Sequence, residues 1–207
     1  MERSVVFAGF GGQGLLFAGQ ILAQAAMDEN LEVVWIPSYG PEMRGGTASC
    51  TVILSEEPVG SPVVDRADVA VVLNPPSHAK FAPTVAPNGI LITNSTLIDA
   101  RAGRADVSEI ALPLSELAAA AGDPRLVSVV ALGVVAARTG LVLPASVHRA
   151  LVEIVGRKKP AILQADLAAF DAGLRAAGGT PIGEIVRDEV SLVTDEERDP
   201  ASVGREL

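Results

Sequence analysis

One cysteine, two histidines, one tryptophan and one tyrosine are all that this 207-residue chain contains of those types. A lone thiol, Cys50, excludes an internal disulfide, a CxxC redox pair and a protein-held iron–sulfur cluster, which needs several thiolates. In a run of strand-forming residues, its default reading is a buried structural thiol. His78 and His148 lie far apart in sequence, without companions at ligand spacing. Neither a metal centre nor a Ser–His–Asp triad can be assembled around them, and both read as surface or capping residues. Basic charge is also scarce: 16 Lys and Arg stand against 25 Asp and Glu, a net charge of -9. Binding nucleic acid needs a basic face, so no nucleic-acid partner is expected. No apolar run reaches the roughly 18–20 residues of a membrane span, and Glu2 and Arg3 precede only a short one. The expectation is a soluble, cytoplasmic protein with no membrane partner, and the scarcity of cysteine fits a reducing compartment.

Ala, Val and Leu dominate, and hydrophobic residues make up 49% of the chain. That composition suits an α/β protein whose helices pack against a buried sheet. Short apolar runs predict strands at Ser4–Ala8, Leu31–Ile36 (ending at Pro37), Val69–Leu73, Ile90–Thr93 and Val107–Leu112. Thr47–Leu54 is rich in β-branched residues and predicts another strand. The ten residues before it are few for a helical crossover, so it is expected to run antiparallel to a neighbour. Helices are predicted over Gln13–Met27, a short stretch near Ser77–Phe81, Leu114–Ala121 and Leu126–Arg138, with two more opening at Pro144 and Pro160. Residues 1–180 read as one Rossmann-like domain with a mostly parallel sheet flanked by helices. The last 27 residues, 181–207, read as a charged tail.

In an open α/β sheet, ligands bind beyond the carboxyl ends of the parallel strands. Four polar loops are expected on that edge: Gly9–Gly14, Ser38–Gly46, Asn74–His78 and Asn94–Thr96. Gly9, Gly11 and Gly14 have the spacing of a nucleotide-binding turn. Glycine permits the turn and close approach of a ligand, and the following helix offers free N–H donors to an anion. The spacing alone is a weak signal; in its strand–turn–helix context, anion or nucleotide binding and a purely structural turn have roughly even odds. A dinucleotide site also needs an acid about 20 residues on, at the end of the second strand. Val34–Pro37 contains none and Glu32 comes too early, which disfavours a free-standing NAD(P)-dependent oxidoreductase. Arg44, before Gly45 and Gly46, is the most suggestive cation, since a phosphate or carboxylate could meet backbone and guanidinium together. Pairing with Glu42 or a neighbouring subunit explains it equally well. Tyr39 can serve a ligand or pack in an interface, and Lys158-Lys159 reads as a solvated pair. Gly9, Gly11, Gly12, Gln13, Gly14, Ser38, Tyr39, Arg44, Gly45, Gly46 and Asn74 form the candidate binding set, with no catalytic or metal-ligating residue among them.

Gly9-Phe10-Gly11-Gly12-Gln13-Gly14, followed by Ser38-Tyr39-Gly40-Pro41-Glu42-Met43-Arg44-Gly45-Gly46, resembles the gamma subunit of 2-oxoacid:ferredoxin oxidoreductases. Ser61-Pro62, Ala67-Asp68 and Ala131-Leu132-Gly133 extend the likeness over about residues 4–180. The second motif, with Leu73-Asn74-Pro75-Pro76-Ser77, is closest to the 2-oxoglutarate or branched-chain type. Ser49 and Ser128 depart from it, standing where many members carry asparagine. The resemblance implies a non-catalytic subunit that binds no cofactor alone. Its partners would be thiamine-binding and iron–sulfur subunits, and ferredoxin through them. Thiamine diphosphate, Mg²⁺ and iron–sulfur clusters would sit elsewhere in the complex. The implied reaction takes 2-oxoglutarate and coenzyme A to succinyl-CoA and CO₂ while reducing ferredoxin, with this subunit beside the coenzyme A entrance.

Overall fold

A computed structural model describes residues 2–38, 47–156 and 160–181. Among these residues, six strands form one sheet: β1 (Glu2–Phe10), β2 (Glu32–Ser38), β3 (Thr47–Ser55), β4 (Ala67–Val72), β5 (Val85–Asn94) and β6 (Ser108–Leu112). Their order across the sheet is β2-β3-β1-β4-β5-β6. β1, β4, β5 and β6 are parallel, while β3 runs antiparallel to both β1 and β2. The expected return strand is therefore present, and β2 points the same way as β1.

Among the described residues, six α-helices accompany the sheet: α1 (Leu15–Asp28), α2 (Pro75–Phe81), α3 (Leu114–Ala120), α4 (Val127–Thr139), α5 (Pro144–Leu151) and α6 (Pro160–Ala176). One π-helical stretch, Val152–Gly156, continues from α5. The main core lies on one face, where Val5, Phe7, Cys50, Val52, Val69, Val71 and Ile92 meet α1, α3, α4, α5 and α6. The other face is thinner, with Ala70, Val72 and Leu91 packed against Ala82, Val85 and Ile98. α1 and α2 thus sit on opposite faces, and the chain order reverses between β1 and β4, the switch point at which open α/β sheets bind ligands.

α4 is buried nearly all round, as its sequence predicts, because the sheet side and α6 both cover it. Cys50 is fully buried and its Sγ donates to the Leu15 carbonyl at 3.2 Å. Burial pushes its thiol up to about 12, with the Trp35 indole opposing. This is the expected structural thiol.

Several boundaries differ from expectation for identifiable reasons. β1 runs on through Gly9 and Phe10 because β3 is long enough to pair them with Ala48 and Thr47. Pro37 lies inside β2, paired with Cys50. β2 is an edge strand, where proline is tolerated. His78 is buried rather than on the surface: α2 lays it against the second face of the sheet. His148 is half-buried, and burial lowers its pKa while the charge of Asp171 works against the shift. Lys158, Lys159 and residues 182–207 lie outside the described residues. No described helix is long and apolar enough to cross a membrane.

Candidate functional site

The carboxyl ends of β1, β2, β4 and β5 and the start of β3 share one edge of the sheet, as the registers require. Phe10 pairs with Thr47, Ser38 with Ser49, Ala8 lies beside Val72, and Val72 beside Thr93. All four expected loops therefore leave from this edge.

The β1–α1 turn is held by its own polar groups. The Phe10 N–H donates to Gln13 Oε1 at 2.6 Å, and the Gln13 N–H donates to the Phe10 carbonyl at 3.3 Å. Gly14 caps α1 at φ 75°, a left-handed conformation that favours glycine, and no side chain caps the helix. The first-turn N–H groups of Leu15, Leu16 and Phe17 precede the first helical bond, Ala18 N–H to the Gly14 carbonyl at 3.0 Å. They remain available as donors.

These groups open into a cleft of about 340 Å³ lined by Phe10, Gly11, Gly12, Gly14, Leu15, Leu16, Phe17, Ser38, Ala48 and Ser49. Of the candidate set, the cleft brings together Gly11, Gly12, Gly14 and Ser38. Gly9 and Gln13 act behind it: a side chain at Gly9 would collide with Gln13 Oε1, so that glycine serves the turn itself. Asn74 stands apart, fully buried, capping α2 by accepting from the Ser77 N–H at 2.8 Å. Tyr39, Arg44, Gly45 and Gly46 lie outside the described residues.

Sequence reasoning missed the apolar part of the lining, Phe10, Leu15, Leu16, Phe17 and Ala48, and missed Ser49. An antiparallel return strand places its first residues opposite the end of β1, so the expected direction of β3 already contained that signal. Both departures from the family pattern abut this corner. Ser49 lines the cleft, and Ser128 Oγ is buried without a partner 2.6 Å from where a Gly14 Cβ would be.

The topology sharpens the argument against a dinucleotide. β3 lies between β1 and β2, so the end of β2 is two strand spacings, about 10 Å, from the glycine turn. An acid at that end would stand too far away to share a ribose with this turn, and Ser38 occupies the position. The single buried thiol, already bonded to Leu15, does not fit an iron–sulfur ligand set. Among the described residues, no group of three or more His, Cys, Asp or Glu could hold a metal ion.

Residues 4–176 match the family model described as pyruvate ferredoxin/flavodoxin oxidoreductase. The chain is 41% identical over 184 residues to ketoisovalerate oxidoreductase subunit VorA of Methanothermobacter thermautotrophicus. That match covers 89% of this chain but 38% of the relative. It is 30% identical over 180 residues to 2-oxoglutarate synthase subunit KorC of Methanocaldococcus jannaschii, covering 86% of this chain and 95% of the relative. Its fold is similar to the crystal structure of a keto/oxoacid ferredoxin oxidoreductase gamma subunit from Geobacter sulfurreducens. The TM-score is 0.74 at 28% identity, with 84% of this chain and 98% of that one covered. The chain thus spans well under half of one relative and nearly the whole of the others.

Proposed function

Since the chain belongs to the pyruvate ferredoxin/flavodoxin oxidoreductase family, we propose that it serves as the gamma unit of a 2-oxoacid:ferredoxin oxidoreductase. In this reading it performs no chemistry alone and presents the cleft at the β1–α1 turn to coenzyme A. The observation that carries the reading is the uncapped N-terminus of α1, opening between Gly11, Gly12 and Ser38. Its N–H groups and helix dipole suit a phosphate oxygen, and Leu16, Phe17 and Ala48 suit the less polar part of the same molecule. Arg44 would supply the missing cation.

Thiamine diphosphate, Mg²⁺ and the iron–sulfur clusters would be held by partner subunits, where they supply decarboxylation and electron transfer to ferredoxin. The substrate proposed first is 2-oxoglutarate, converted with coenzyme A to succinyl-CoA and CO₂. The 41% identity to a ketoisovalerate oxidoreductase subunit favours a branched-chain 2-oxoacid as the second reading. Turnover of the assembled enzyme on each acid decides between them.

Arg44→Ala in the assembled enzyme is expected to raise the KM for coenzyme A roughly tenfold, as loss of one charge-assisted contact implies. The KM for the 2-oxoacid should not move. An unchanged coenzyme A KM with intact assembly would remove Arg44 from the site, and failure to assemble would assign it to the subunit interface.

A further inference from the structure

Arg3 and Asp68 lie near the starts of β1 and β4, at the sheet edge opposite the glycine turn. Between them and the end of α4 is a cavity of about 440 Å³, whose lining includes Arg3, Asp68, Asn88, Ile90, Thr139 and Leu141. That volume suits a small molecule. Arg3 and Asp68 are the only charged side chains in the lining.

The sheet wall has donors to spare. Arg3 Nη1 donates to Asp68 Oδ1 at 2.8 Å, while Asp68 Oδ2 accepts from the Ser4 N–H at 2.9 Å and its hydroxyl at 3.0 Å. Both carboxylate oxygens are thus engaged. Arg3 keeps Nε and Nη2 free to donate, and its side chain is 45% exposed. The helix wall has acceptors to spare. α4 ends at Gly140, whose φ of 61° turns the chain aside. The Leu141 N–H donates to Thr139 Oγ1 at 3.3 Å instead of to a helix carbonyl. Among the described residues, no backbone N–H donates to the carbonyls of Ala136, Ala137, Arg138 or Thr139. These carbonyls form the negative end of the helix dipole. Arg138, on the same turn, is exposed and does not line the cavity.

We propose that this cavity binds a free α-amino acid with an apolar side chain. Its carboxylate takes the unused Nε and Nη2 of Arg3, a planar pair that matches two carboxylate oxygens. Its ammonium meets the carbonyls that end α4, and its side chain lies against Ile90 and Leu141. Each wall rejects a simpler occupant. A cation alone, such as a partner's lysine, would face the Arg3 guanidinium. An anion alone would face the Asp68 carboxylate and the negative end of α4, and like charge suppresses wrong partners. A ligand carrying both charges answers both walls. The cavity and the cleft at the β1–α1 turn lie on opposite edges of the sheet and share no residue. The proposal is therefore independent of the coenzyme A reading.

The test titrates the full isotope-labelled chain with three ligands and follows backbone amide shifts. These are L-leucine, isopentylamine, which lacks the carboxylate, and 4-methylpentanoate, which lacks the ammonium. Saturable shifts at Asn88, Gly89, Gly140 and Leu141 are expected with L-leucine. Each analogue should bind at least roughly tenfold more weakly, as loss of one charge-assisted contact implies. Arg3→Met, which keeps the aliphatic stem, should weaken L-leucine by a similar factor. The three ligands are compared on the unmodified chain, so the outcome does not depend on a variant that folds. No saturable shift with L-leucine, or shifts confined to the glycine-turn edge, would overturn the proposal. So would either analogue binding as tightly as L-leucine, or a folded Arg3→Met chain binding L-leucine unchanged.

Discussion

Gly173→Val should lower the stability of the chain by about 3 kcal/mol, at the upper end of what overpacking costs. For a domain of this size, that corresponds to a fall in Tm of roughly 6–12 °C. The reason lies in how closely α4 and α6 approach. A Cβ on Gly173 would overlap the Val130 carbonyl oxygen and come within 3.1 Å of Gly133 Cα. In return, a Cβ on Gly133 would overlap the Phe170 carbonyl oxygen and reach 2.9 Å from the Leu174 nitrogen. The obstacles are backbone atoms, so no rotamer change relieves them, and the helices must move apart. Val130, Phe170 and Leu174, all fully buried, would lose contacts as they separate. Gly60→Ala is the control, because nothing lies within 4 Å of a Cβ there; it should stay within about 0.5 kcal/mol of the parent. A Gly173→Val chain that melts with the parent would show that the two helices are not packed backbone to backbone.

Asp166→Asn should stabilise the chain near pH 7.5 and leave it almost unchanged near pH 4. Asp166 lies on α6 at 2% exposure. Burial pushes its carboxyl up to about 6, and the charge of Asp123 adds to the shift. In the unfolded chain an aspartate titrates near 3.9. Below about pH 4, both states hold the proton and nothing is lost. Between about pH 4 and 6 the folded chain keeps a proton that the unfolded chain has released, so stability falls as pH rises. Above about pH 6 the cost is complete, on the order of 2–3 kcal/mol. Asparagine removes the titration while keeping the shape. Urea unfolding at the two pH values reads the difference directly. An equal effect at both, or a loss of stability at pH 7.5, would contradict the assignment.

Much of this architecture is legible in the residues. The glycine spacing after a short apolar run gives the β1–α1 turn, and the short interval before Thr47 gives an antiparallel β3. Together they place the four polar loops on one edge. Less legible is anything decided by a neighbour distant in sequence. Gly9 and Phe10 read as loop because glycine ends apolar runs, yet β3 extends β1 through both. Asn74 reads as a ligand contact because it sits on the right edge; that its Oδ1 also caps α2, leaving its buried Nδ2 without a partner, is visible only in the structure. Gly133 and Gly173 look like ordinary helix interruptions, and only the crossing of α4 with α6 shows why a side chain cannot replace either. The cleft follows the same rule: its glycines could be read from β1 and α1, whereas Ala48 and Ser49 enter it only through pairing.

The proposed role, as the coenzyme A-facing unit of an assembled enzyme, requires that the chain turn over nothing alone. The most direct measurement is coenzyme A-dependent ferredoxin reduction by the thiamine- and cluster-bearing subunits, reconstituted with and without this chain. Turnover is expected only when the chain is present, with none from the isolated chain on any 2-oxoacid. Full turnover without it, or turnover by the chain alone, would contradict the proposed function.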